Sequence, residues 1–164
     1  VIHDFWVPKL GPKMDMIPGR TNVTWLEARD PGTYRGQCAE YCGLEHARMA
    51  FEVSAMPPGE FARWIEAERA PALADQSRGQ QIFASSCAVC HSVRGTDAAG
   101  IYGPDLTHFA RRPSIAAGLL PNTVAARELW LARTQSVKPG ALMPQVELGD
   151  ADRHAVVRYL GSLR

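Results

Sequence analysis

Cys87-Ala88-Val89-Cys90-His91 decides how the second half of this chain is read. Two thiols separated by two residues and followed at once by an imidazole form the C-x-x-C-H pattern. In it the thiols reach the vinyl groups of one haem while the histidine ligates iron from one face. A redox-active or zinc-binding C-x-x-C with a bystander histidine is the competing reading. The flanking residues are helical with long loops between. Gln80, Ile82 and Phe83 place a helix before the motif, and Thr123 to Gln135 gives another. A last helix follows Gly149-Asp150, with Asp150 as N-cap and Val156, Val157, Leu160 and Leu163 on its apolar side. Helices joined by long Gly- and Pro-rich loops need something large to pack around, which a haem supplies.

The other face of the iron calls for a soft, neutral ligand, and Lys138-Pro139-Gly140-Ala141-Leu142-Met143-Pro144 holds a methionine in a stiff loop. Met143 is the expected sixth ligand, although methionine elsewhere is often core filler. His108 and His154 are its rivals.

The first half reads differently. From Thr21 to Met56 it is β-rich, with strands expected at Asn22–Glu27 and Ala50–Val53 around the Asp30-Pro31-Gly32 turn. After Met56-Pro57-Pro58-Gly59, the residues Phe61, Trp64 and Ile65 recur at helical spacing until Pro71. Cys38-Ala39-Glu40-Tyr41-Cys42-Gly43-Leu44-Glu45-His46-Ala47-Arg48-Met49 gathers two thiols, an imidazole and a thioether in one loop. These are soft ligands suited to copper, and the second cysteine points to two coppers bridged by two thiolates. Zinc on Cys38, Cys42, His46 and another histidine is the alternative. The four cysteines would also permit disulfides in an exported protein.

With 164 residues the chain has room for two small domains. A net charge of +1 gives no strong global field, which argues against nucleic acid or a polybasic membrane surface as partner. No run approaches the roughly 18 apolar residues of a membrane-spanning helix. The abrupt opening at Val1-Ile2-His3-Asp4-Phe5-Trp6 reads as the remainder of something longer.

Residues 75 to 164 resemble class I cytochromes c in the helix before the attachment motif, Gly103-Pro104-Asp105-Leu106, the methionine loop and the C-terminal helix. The resemblance implies haem c held covalently by Cys87 and Cys90, with His91 and Met143 as axial ligands. It also implies a Pro104 carbonyl accepting a hydrogen bond from His91. Arg111 and Arg112 would serve haem propionates or a docking partner, if they are not simply solvated. The Cys38–Met49 loop, with Val1–Pro8 and Lys13-Met14-Asp15-Met16-Ile17-Pro18-Gly19, resembles the copper A segment of cytochrome c oxidase subunit II. By that resemblance Cys38 and Cys42 bridge both coppers and His3 and His46 each bind one. Met49 is a weak axial ligand and the Glu40 carbonyl is the other, while the Glu40 side chain would lie beside subunit I or a magnesium site. Alone, His3 would pass for an ordinary strand histidine.

The two resemblances together are to subunit II of a caa3-type oxidase. They imply an all-β cupredoxin-like sandwich, incomplete at its N-terminus, followed by an all-α cytochrome c domain. The expected bounds are 1–70 for the copper part with its following helix, 71–76 for a linker and 77–164 for the cytochrome. The implied role is transfer of electrons from a donor cytochrome c or quinol-oxidising complex through haem c and copper A to haem a of subunit I, with oxygen reduction in subunit I. The implied place is the periplasmic face of a bacterial inner membrane, with anchoring helices and the first strands expected upstream of Val1. The copper A and haem domain of a nitrous oxide reductase is the alternative. A copper chaperone has no need of Cys87 to His91, and a quinol-oxidase subunit II would lack the copper ligands.

Overall fold

The computed structural model describes residues 1–72 and 76–164. The chain divides into two compact units, Val1–Ile65 with Ala117–Leu119 and Glu66–Ala116 with Leu120–Arg164. The linker expected at 71–76 includes 73–75, which lie outside the described residues.

The first unit is built on an antiparallel sheet of β1 (His3–Trp6), β2 (Met14–Met16), β3 (Gly32–Cys38) and β4 (Ala50–Ala55), in the order β2-β1-β3-β4. Register decides what shares a face: Phe5 lies opposite Cys38, and Gly36 opposite Phe51. Side chains alternate along a strand, so His3, Phe5 and Cys38 fall on one side of the sheet. Phe5 and Phe51 stack there with ring centroids 4.8 Å apart. Asp4 points the other way, is buried, and accepts the Met14 N–H at 3.0 Å, which pins β1 to β2. The strand expected at Asn22–Glu27 does not form. That segment is irregular, with Val23 and Trp25 exposed, and it meets the rest of the unit through Glu27 N–H to Leu10 O at 2.8 Å and the Asn22 side-chain amide to Asp15 O at 2.7 Å. β-propensity alone cannot hold a strand that has no ladder partner. β3, which the sequence reading did not single out, takes the place beside β4. The helix expected after Met56 is α1 (Pro58–Arg69), with proline in its first position, where the missing N–H costs nothing.

The second unit holds α2 (Arg78–Ser86), α3 (Val124–Val137) and α4 (Asp150–Ser162), with a short β5 (Ser114–Ile115) and β6 (Leu120–Pro121) ladder. Ser77 and Thr123 cap α2 and α3 by accepting the N–H groups of Gln80 and Ala126. The cap of α4 is Gly149, not Asp150. Its carbonyl takes the N–H groups of Asp152 and Arg153, while Asp150 stands in the first turn and accepts from Arg153 at 2.7 Å. Val156, Val157, Leu160 and Leu163 are buried as their spacing requires, together with Tyr159, which packs on Phe83 of α2. Among the described residues no helix is long and apolar enough to cross a membrane.

The crossing of α2 over α4 depends on Gly79. A β-carbon there would stand 2.2 Å from the Ala155 carbonyl oxygen and 2.7 Å from Tyr159 Cβ. Backbone cannot yield as a side chain can, so Gly79→Ala forces the helices apart. The cost of about 2–3 kcal/mol exceeds the ~1 kcal/mol that alanine returns in helix propensity. Calorimetry of the holo chain should show the second unit melting several degrees lower; an unchanged melting temperature would mean that the crossing is loose.

Candidate redox sites

The attachment motif is a turn that continues directly from α2. Cys87 is the residue that ends the helix, its N–H bonded to Phe83 O at 2.8 Å, and its own carbonyl accepts the N–H groups of Cys90 and His91, each at 3.0 Å. This winding brings two thiols and the imidazole together within one turn. Cys87 packs against the unit's core, whereas Val89 between the cysteines is exposed. Burial pushes the Cys87 thiol up to about 11, and the Cys90 sulfur adds to the shift. Thioether formation would remove that titration.

His91 Nδ1 lies 2.8 Å from Pro104 O. A carbonyl only accepts, so Nδ1 carries the proton and Nε2 keeps its lone pair for a metal. The loop presenting Pro104 is fixed by its own residues. Gly103 donates its N–H to Cys90 O at 2.7 Å and lies so close to the ring that a β-carbon there would stand 2.5 Å from His91 Cε1. Asp105 accepts the Thr107 N–H at 2.7 Å and pairs with Arg94 at 3.1 Å. Burial pushes the Asp105 carboxyl up, but the Thr107 bonds with Arg94 and Arg112 outweigh it and leave the group below the usual carboxylate range. Its stabilising contribution is therefore complete above the unfolded carboxylate pKa and fades as pH falls through the lower folded value.

Met143 is partly buried against the same core. Its rivals are engaged elsewhere: His108 is buried with Nε2 2.9 Å from Ala70 O, and His154 of α4 faces Glu128 of α3 at 3.7 Å. Arg111 and Arg112, offered for propionates or solvent, bond within the unit, Arg111 to Glu68 at 3.2 Å and Arg112 to the Asp105 carbonyl.

In the first unit the loop between β3 and β4 folds over the end of the sheet. Cys38 N–H bonds Met49 O at 3.1 Å and Ala39 N–H bonds Asp4 O at 3.2 Å, so both edges of the loop are tied to backbone. The Cys38 and Cys42 sulfurs are 3.7 Å apart, with His3 Nδ1 3.9 Å from Cys38 and His46 Nδ1 3.8 Å from Cys42. Met49 Sδ is 3.9 Å from Cys42, and the Glu40 carbonyl is 3.2 Å from the Cys38 sulfur. All six expected ligands thus come together, His3 from a strand 35 residues before Cys38. The sulfur separation excludes a disulfide of about 2.05 Å. It is less than twice a metal–thiolate bond of about 2.3 Å, so one ion can touch both sulfurs. The donor set is soft and fits copper. Desolvation and the adjacent Cys38 push the Cys42 thiol up, a penalty that coordination would cancel.

Residues 76–164 match the family model for cytochrome c, and residues 1–56 match that for the cytochrome c oxidase subunit II periplasmic domain. The chain belongs to the cytochrome c family. Its first unit carries the oxidase subunit II domain ahead of the cytochrome. Cytochrome c oxidase subunit 2 of Alkalihalophilus pseudofirmus is 41% identical over all of this chain and 49% of the relative. Subunit 2 of Bacillus sp. strain PS3 is 35% identical over all of this chain and 50% of the relative. Among solved structures, the periplasmic domain of subunit II of cytochrome oxidase from Bradyrhizobium japonicum is 46% identical over 41% of this chain and 49% of that one, with a TM-score of 0.39. The chain spans about half the length of the curated relatives it matches. These matches give the nitrous oxide reductase alternative no support.

Two groups of residues that support the candidate sites were not legible in the sequence. Gln135 bonds the Met143 carbonyl, Gln145 of the same loop bonds the Leu131 carbonyl of α3, and Asp4 ties β1 to β2 beside His3.

Proposed function

We propose that this chain is the electron-entry part of a caa3-type oxidase subunit II. In this reading Cys87 and Cys90 would hold haem c covalently, and His91 and Met143 would supply its iron ligands. Cys38, Cys42, His3, His46, Met49 and the Glu40 carbonyl would together hold a binuclear copper A centre. The bound groups would supply one-electron chemistry, and the protein sets their position and potential. The observation that carries the reading is the clustering of the six copper-loop donors, with the Cys38 and Cys42 sulfurs 3.7 Å apart, on a chain that also carries the attachment turn.

The chain's residues do three things here. Backbone bonds from Ala39 and Cys38 tie the loop that carries the copper donors to the strands, which would limit its change of shape between oxidation states. The Pro104 carbonyl fixes the His91 tautomer and raises its basicity. Met143 offers a neutral thioether, which keeps the iron potential high. The wider setting is part of the same proposal: subunit I as the acceptor and site of oxygen reduction, a donor cytochrome c or quinol-oxidising complex, and the periplasmic face of a bacterial inner membrane. The Glu40 side chain would serve at the subunit I boundary or a magnesium site.

The test is kinetic. In the full-length subunit loaded with both cofactors, one electron placed on the haem by a photoexcited reductant should leave it as the copper absorption bleaches, with one shared rate constant independent of protein concentration. A haem that stays reduced while copper remains oxidised would remove the proposed route.

A further inference from the structure

The loop that carries Met143 is stapled to α3 from both sides. Gln135, near the end of α3, donates its side-chain amide to Ala141 O at 2.9 Å and to Met143 O at 2.8 Å. A primary amide has two N–H groups, so one side chain can serve both carbonyls. In the opposite direction Gln145 donates to Leu131 O at 2.9 Å and Ala132 O at 3.1 Å. Those acceptors lie beside a break in α3, where Arg133 leaves helical geometry at φ −146° and ψ 41°. A carbonyl beside a break in a helix is a ready acceptor for a side-chain donor. Gln145 thus bonds carbonyls beside the kink, while Gln135 takes the carbonyl of Met143 itself. The rest of the loop has little regular structure, and Leu142 is fully exposed.

We propose that Gln135 and Gln145 are positioning residues for the axial thioether: they hold the backbone on both sides of Met143 so that its sulfur stays on the iron. The inference rests on Met143 being the sixth ligand. Released from its staple, the loop lifts away more often, and a competing ligand binds in proportion to the fraction lifted.

Glutamate has the shape of glutamine but, ionised, cannot donate. In the full-length holo protein, Gln135→Glu and Gln145→Glu should each raise the affinity of oxidised haem for imidazole about three- to tenfold. They should also weaken the near-infrared sulfur-to-iron band at neutral pH. Acidification protonates the carboxyl and restores a donor, so the Gln135→Glu band should recover as pH falls through the carboxylate range, a response that a loss of packing would not give. Gln135→Leu should show the weakened band with no recovery. Wild-type imidazole affinity in both glutamate variants, with Met143→Ala abolishing the band, would overturn the staple and leave the ligand in place. A band that survives Met143→Ala would overturn the ligand reading and the staple with it.

Discussion

The Cys87→Ser, Cys90→Ser double variant should release all of its haem on acid-acetone extraction of the denatured chain, whereas the unmodified chain should keep it. Thioether bonds are covalent and survive denaturation, while bonds from iron to imidazole and thioether do not survive acid. Serine preserves the turn, because the bonds that form it run from the N–H groups of Cys90 and His91 to the Cys87 carbonyl. The single variants therefore test the sulfurs with the turn still formed. Each single variant should retain haem through its remaining thioether. The double variant should also lose much of the native structure of its second unit. Between Ser92 and Ala116 that unit has little regular structure beyond a single bridge, a 3₁₀ turn and one strand of a short ladder, and its core counts Cys87 and Ala88 of the attachment turn among its contacts. A haem placed there supplies apolar surface that these loops cannot supply for one another. Haem extracted completely from the unmodified protein would sink the covalent assignment.

What could be seen in the sequence was whatever is local. The helices α2, α3 and α4 were legible because one buried face repeats every three to four residues, and Val156, Val157 and Leu160 are buried accordingly. The attachment turn was legible because all its ligands lie within five residues. The sheet was harder, since a strand is defined by a partner elsewhere in the chain. Asn22–Glu27 has strand-forming residues and no ladder, whereas β3 contains Gly32 and Gly36 and is paired on both sides. His3 shows the same limit at the site: nothing near it marks a ligand, and only the pairing of β1 with β3 carries it to Cys38. Asp150 failed as a cap because the residue before it already had extended geometry and an available carbonyl. Gln135 and Gln145 were invisible because their partners are main-chain atoms, which leave no trace in side-chain pattern.

In the full-length subunit loaded with copper, the oxidised centre should show hyperfine splitting from two equivalent copper nuclei, and Cys38→Ser or Cys42→Ser should collapse it to a single-copper pattern. The geometry gives the reason. The Cys38 and Cys42 sulfurs lie 3.7 Å apart, and each has its own histidine, His3 at 3.9 Å and His46 at 3.8 Å. A single ion would leave one of these matched pairs poorly used, whereas two ions sharing both thiolates use every donor. Shared thiolates delocalise one unpaired electron over both nuclei, which is what the splitting reads. A serine hydroxyl is harder and much less acidic than a thiol, so it cannot replace the bridge. Met49→Leu should act differently. Its sulfur stands 3.9 Å from Cys42 at the edge of the cluster, so its loss should shift the potential and leave the two-copper splitting intact. The contrast between the cysteine and methionine variants separates a bridge from an axial ligand, which a loss of activity alone could not do. One zinc bound in place of copper, or ordinary single-copper splitting in the unmodified protein, would remove the binuclear assignment while leaving the haem site untouched.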